Sequence, residues 1–158
     1  MLCPIAERLD DWIAAKNREA RANGMLQLEP CRIRLLGQAA LLEVSAPLTL
    51  AATRDVDVYA DYEFAIQTEF ARLLRAQGKE LDPLGHEIWM PKETEYAVIH
   101  AGRFVELSVA DIAAILVSKG LKAPVKNRLI LMEYLAKGAS DRFVRLARKY
   151  RLDLEQFT

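Results

Sequence analysis

The segment Thr53-Arg54-Asp55-Val56-Asp57-Val58-Tyr59 constrains this chain more than any other, because it sets two carboxylates one residue apart in a run that otherwise reads as a buried strand. Aspartate is depleted in strands. A period of two sends Asp55 and Asp57 to one face, where like charges repel unless a cation or a proton lies between them. Two readings are open: a metal-binding edge, or a solvated strand face on which one aspartate begins a turn.

The flanking pattern places that strand in an α+β frame. Ile5, Leu9, Trp12 and Ile13 recur at helical spacing between Pro4 and Asn23, with Pro4 suited to a first turn and Gly24 to a stop. Cys31 to Leu35 alternates at period two, Gly37 turns the chain, and Gln38 to Glu43 are good helix formers. After the aspartate strand, Asp61 is placed to cap a helix whose apolar face is Phe64, Ala65, Phe70, Leu73 and Leu74, ending at Gly78. A short strand is expected at Glu87 to Met90 and a hairpin at Tyr96 to His100 and Arg103 to Leu107. From Ser108 the pattern is helical: Ser108 and Asp111 are spaced as a capping box, with a stop at Gly120, and further helices are expected from Pro124 to Gly138 and from Ser140. The expectation is one domain over residues 1–158, with a sheet-containing core at 1–107 and C-terminal helices at 108–158 packed on it.

Composition narrows the partners. With 158 residues, 52% of them apolar, the chain can bury one sizeable core. The 22 basic and 22 acidic side chains cancel, so no global field draws the protein to nucleic acid or an anionic membrane, and any such binding must be local. No run approaches the roughly twenty apolar residues of a membrane span, and the start lacks a basic, apolar leader; a cytoplasmic protein with no membrane partner is expected. Cys3 and Cys31 are too few and too far apart for a zinc knuckle and are expected as free thiols. His86 and His100 lack metal-triad or nucleophile-relay spacing and are expected to be structural.

The order strand, Gly37 turn, short helix and doubly acidic strand resembles the nucleotidyltransferase fold of the polymerase-beta-like superfamily. Leu35-Leu36-Gly37-Gln38-Ala39-Ala40-Leu41 is similar to its glycine signature, and Thr53 to Val58 to its acidic strand. Ser108 to Lys119 resembles the lysine-ended helix of nucleotidyltransferase-like proteins of bacterial abortive-infection and toxin-antitoxin systems. The resemblance implies a mixed sheet flanked by helices and a metal-dependent transfer of a nucleoside monophosphate from an NTP to a hydroxyl on RNA, protein or a small molecule. Mg²⁺ or Mn²⁺ would be held by Asp55, Asp57 and a third carboxylate, for which Glu106 is the candidate and Asp61 the fallback. Gly37, Gln38 and Lys119 would face the nucleotide phosphates, with Lys122, Lys126 and Arg128 as further sources of charge.

Two departures motivate a different function on the same fold. Gln38 stands where the family usually has a second glycine or a serine, and Lys126-Asn127-Arg128 lies where relatives often carry an aspartate. These suit a catalytically degenerate binding or regulatory protein with a protein partner, in a toxin-antitoxin or phage-defence setting. A third reading is nucleic-acid binding through Arg142, Arg145, Arg148, Lys149 and Arg151 of the last helix.

Overall fold

The computed structural model describes residues 1–158. Pro4 opens α1 (Cys3–Ala22), which buries Ile5, Leu9, Ile13 and Asn17 at four-residue intervals along one stripe. Asn17 is the polar member of that stripe and is fully used: its Nδ2 donates to the Leu28 carbonyl and its Oδ1 accepts from the Leu28 amide. The loop after α1 is thereby tied to the helix it leaves.

The chain then lays down β1 (Cys31–Leu36), α2 (Gly37–Glu43), β2 (Asp55–Ala60), α3 (Phe64–Ala76) and a two-residue β3 (Glu80–Leu81). After a single 3-10 turn at Gly85–Glu87 come β4 (Tyr96–Ala101) and β5 (Val105–Ala110). Three helices follow: α4 (Ile112–Lys122), α5 (Arg128–Ala136) and α6 (Asp141–Lys149). The sheet order is β3-β2-β1-β5-β4. β1 runs antiparallel to β2 and parallel to β5, so the sheet is mixed, and helices flank it.

Alternation on β1 decides which face is which. Cys31, Ile33 and Leu35 are buried, whereas Arg32 and Arg34 are exposed. The buried face meets α1 and α3, and one hydrophobic cluster runs from Leu2 through Phe70 and Leu107 to Phe143 and Phe157. The helices after residue 107 therefore share the sheet's core. Burial of each large apolar side chain contributes about 1.5–3 kcal/mol. No helix is long and apolar enough to cross a membrane, and Cys3 and Cys31 are free thiols.

Four local expectations are corrected. Asp61 does not cap α3; its Oδ1 accepts from the Arg32 amide instead, and Glu63 precedes the helix. Residues 88–90 form no strand, and the sheet's edge on that side is β3. Ser108 lies inside β5, which pairing with both β1 and β4 extends to Ala110, so Asp111 alone caps α4 by accepting from the Ala114 amide. Gly120 is no stop: α4 continues to Lys122, and Gly120 packs against Leu131 and Leu152.

Candidate functional site

β2 pairs with β1 so that Asp57 stands opposite Leu36, the residue before Gly37. Gly37 opens α2 in the left-handed region, with φ of +59°, where a side chain is strained. It also leaves room for Asp57: a β-carbon at residue 37 would lie 2.8 Å from Asp57 Oδ2. Gly85 plays the same part from above, since a β-carbon there would sit 2.9 Å from the Val58 nitrogen and 3.1 Å from Asp57 Cα. Two glycines thus let the chain close around one carboxylate.

Asp57 forms the acidic wall of a cavity of about 350 Å³, together with Asp55, one step along the same strand face, and Asp82, just after β3. Lys119, Lys122 and Lys126 face them from the end of α4 and the segment beyond it. Asn127 fixes that segment by donating to the carbonyls of Lys119 and Ala123. Gln38 lines the cavity with its side chain engaged, Nε2 donating to the Ala51 carbonyl at 2.9 Å.

The electrostatics follow from this crowding. Burial pushes the Asp57 carboxyl up to about 6, the neighbouring Asp82 and Asp55 carboxylates push in the same direction, and Lys122 opposes them. Asp57 Oδ1 is buried with no donor. Its carboxyl neighbour Asp82 is also an acceptor when ionised, so a proton or a cation is needed between the two. Lys119 is held below the ordinary lysine range, first by burial and then by Lys126 and Lys122, with Asp57 acting the other way.

Of the residues expected at the site, Asp55, Asp57, Gly37, Gln38 and Lys119 line this one cavity. Glu106 does not. On β5 it stands opposite Arg32, four residues along β1 from Asp57's partner Leu36, a separation of about 13 Å along the strand. There it makes a 3.6 Å ion pair with Arg32 Nε. The third carboxylate in the cavity is Asp82, which the pattern passed over; the signal available was the turn sequence Asp82-Pro83-Leu84-Gly85.

No three His, Cys, Asp or Glu side chains anywhere are arranged as a ready metal-ligand cluster. The cavity nevertheless suits an oxygen-seeking ion, because it offers the orphaned Asp57 Oδ1 beside Asp82, and magnesium is commonly held by one or two carboxylates plus waters and phosphate oxygens.

The other chemistry-bearing residues lie outside this cavity. His100 faces Asp10 at 3.9 Å, shielded from solvent, and His86 projects into solvent. On α6, Arg142 is clasped by Asp111 and Lys149 by Glu93, leaving Arg145 and Arg148 as that helix's free basic groups. No protein-family profile, curated protein or solved structure gives a significant match to this chain.

Proposed function

We propose that the cavity is a nucleotide site and that the protein is a metal-dependent nucleotidyltransferase acting on an NTP. The observation that carries this reading is the facing of Asp55, Asp57 and Asp82 by Lys119, Lys122 and Lys126 across one cavity. A magnesium triphosphate needs both kinds of wall, carboxylate oxygens for the cation and ammonium groups for the phosphates. Asp57 and Asp82, with Asp55 beside them, would hold the ion, and Gly37 leaves the space in which the Asp57 carboxylate sits. Bound magnesium would offset charge on the transferring phosphoryl oxygens. Lys122 and Lys126, both exposed, would take the outer phosphates, and half-buried Lys119 would act deeper in the cavity.

A second reading has its own support. Gln38 is fastened to Ala51 at the cavity, where a smaller residue would leave more room for a triphosphate, which suits a degenerate regulatory module working with a protein partner. Calorimetric titration of each NTP, with Mg²⁺ and with EDTA, separates these when paired with pyrophosphate release. Binding that needs both Mg²⁺ and the aspartates, with release, upholds the enzyme; such binding without release favours the module. Wild-type binding that ignores metal and persists in the folded Asp55→Asn/Asp57→Asn protein overturns the nucleotide site.

A further inference from the structure

The sheet face that carries Asp57 continues past the nucleotide cavity. Two residues along β2 is Tyr59, whose register partner on β1 is Arg34, and Arg32 follows two residues beyond. Arg32, Arg34, Tyr59, Ala60 and Asp61 line a second depression of about 230 Å³. The Tyr59 hydroxyl donates to the Ile88 carbonyl, and Ile88 also lines the nucleotide cavity, so one hydrogen bond links the linings of the two depressions.

The arginines here are open to a ligand. Arg34 is exposed, makes no ion pair, and lies 4.6 Å over the Tyr96 ring. Arg32 keeps only the loose 3.6 Å contact with Glu106, in which its side chain is 65% exposed and that of Glu106 43%, a geometry that solvent screens strongly. Asp61 is turned to the backbone, accepting from the Arg32 amide at 2.7 Å. A guanidinium presents a planar fork that matches a phosphate, and a stacked one adds an aromatic surface suited to a base.

Spacing gives these groups a direction. Residues two apart on one strand face are about 7 Å apart, so Arg34 and Arg32 stand at roughly one and two such steps from the level of Asp57. That row is what a single nucleic-acid strand requires if its terminal hydroxyl is to lie at the carboxylates with its last phosphates behind it. The geometry points to this depression as the acceptor groove, taking the end of a single-stranded nucleic acid through Arg34 and Arg32. The assignment rests on the nucleotide reading of the neighbouring cavity.

The test is fluorescence anisotropy with a short labelled single-stranded RNA of mixed sequence, at several salt concentrations. The proteins are wild type, Arg32→Ala, Arg34→Ala, Arg34→Lys and the double alanine variant, each also titrated with NTP and Mg²⁺. Both arginines lie on the exposed face, so folding should survive, and circular dichroism checks it. Salt-sensitive binding by wild type is expected, weakened roughly fivefold or more by each alanine, with the salt slope falling by about one per arginine. Arg34→Lys should keep the slope and lose part of the affinity, and NTP binding should be unchanged throughout. Absence of salt-sensitive RNA binding, or equal binding by the double variant, overturns the groove. If Asp57-dependent NTP binding persists in that case, the nucleotide site stands and its acceptor does not enter through Arg32 and Arg34. Arginine-dependent RNA binding in a protein that takes no NTP overturns the acceptor role as well.

Discussion

Gly37 and Asp57 occupy one space: a β-carbon on residue 37 would stand 2.8 Å from Asp57 Oδ2. Substitution therefore has two separable effects. Gly37→Ala meets the left-handed backbone penalty, about 1–2 kcal/mol, and it also displaces the carboxylate. Gly24 has nearly the same backbone, with φ of +64°, but nothing within 4 Å of its would-be β-carbon. Both alanine variants should lose about 1–2 kcal/mol in urea unfolding. Only Gly37→Ala should also weaken Mg-dependent NTP binding, by about tenfold or more, an effect of more than 1.4 kcal/mol. Equal NTP binding in the two variants would show that the close approach has no part in the site.

The raised Asp57 pKa makes a stability prediction with a definite sign. A carboxyl at about 6 holds its proton more tightly folded than unfolded. Stability is thus lost as pH rises from the ordinary carboxylate range through about 6, and the loss is complete above that. Asp57→Asn removes the charge and supplies an amide that can donate to Asp82. In EDTA at about pH 8 the variant should be more stable than wild type by about 1–2 kcal/mol, allowing for partial solvent screening. At about pH 4 the difference should nearly vanish. An asparagine variant less stable at both pH values would mean that Asp57 is held by a partner charge in the folded protein.

Asp82 and Glu106 can be told apart directly. Asp82→Asn keeps a carbonyl to accept the Leu84 amide, as Asp82 Oδ1 does at 2.9 Å, while removing a charge from the cavity. It should reduce Mg-dependent NTP affinity about tenfold or more, by loss of a charged oxygen donor. Glu106→Gln, altering an exposed pair with Arg32, should leave NTP affinity within about twofold and stability within about 0.5 kcal/mol. The reverse order of effects would return Glu106 to the site.

How much the sequence revealed depends on the range of the interaction that decides each feature. Asp55 and Asp57 were legible because period two and like-charge repulsion are local facts, and Gly37 because a strand-to-helix turn calls for glycine. Glu106 was misplaced for a long-range reason: its hairpin was readable, but the parallel register of β5 on β1, which sets it beside Arg32, is written nowhere near residue 106. Asp82 was missed because β3 has two residues and shows no alternation; its pairing rests on hydrogen bonds from the Glu80 and Asp82 amides to the Arg54 and Val56 carbonyls. Ser108 fitted a local capping pattern, and pairing on both sides of β5 overrode it. Arg142 read as part of a basic face for nucleic acid, although its counter-charge, Asp111, lies on another element.

That arginine supplies the test of what the basic C-terminal helix does. Arg142 donates from Nε and Nη2 to the two Asp111 oxygens at 3.0 and 3.1 Å, and from Nη2 to the Glu93 carbonyl at 2.8 Å. Asp111 also accepts from the amides of Ala114 and Glu95, so one carboxylate joins the start of α4, the approach to β4 and α6. Burial works against the charged form of Asp111, yet the Arg142 hydrogen bond and the two amides outweigh it and hold the carboxyl below its usual range. Arg142→Ala should cost about 2–4 kcal/mol by leaving a half-buried carboxylate without its counter-charge, whereas Arg148→Ala on the exposed side should stay within about 0.5 kcal/mol. Because the folded pKa of Asp111 is depressed, the stability it contributes is present above the ordinary carboxylate pKa and lost as pH falls through the depressed value. The gap between wild type and Arg142→Ala should accordingly be widest near neutral pH and shrink in acid, as followed by urea unfolding at a series of pH values. A gap independent of pH would assign the loss to packing of the Arg142 stem instead of to its charge.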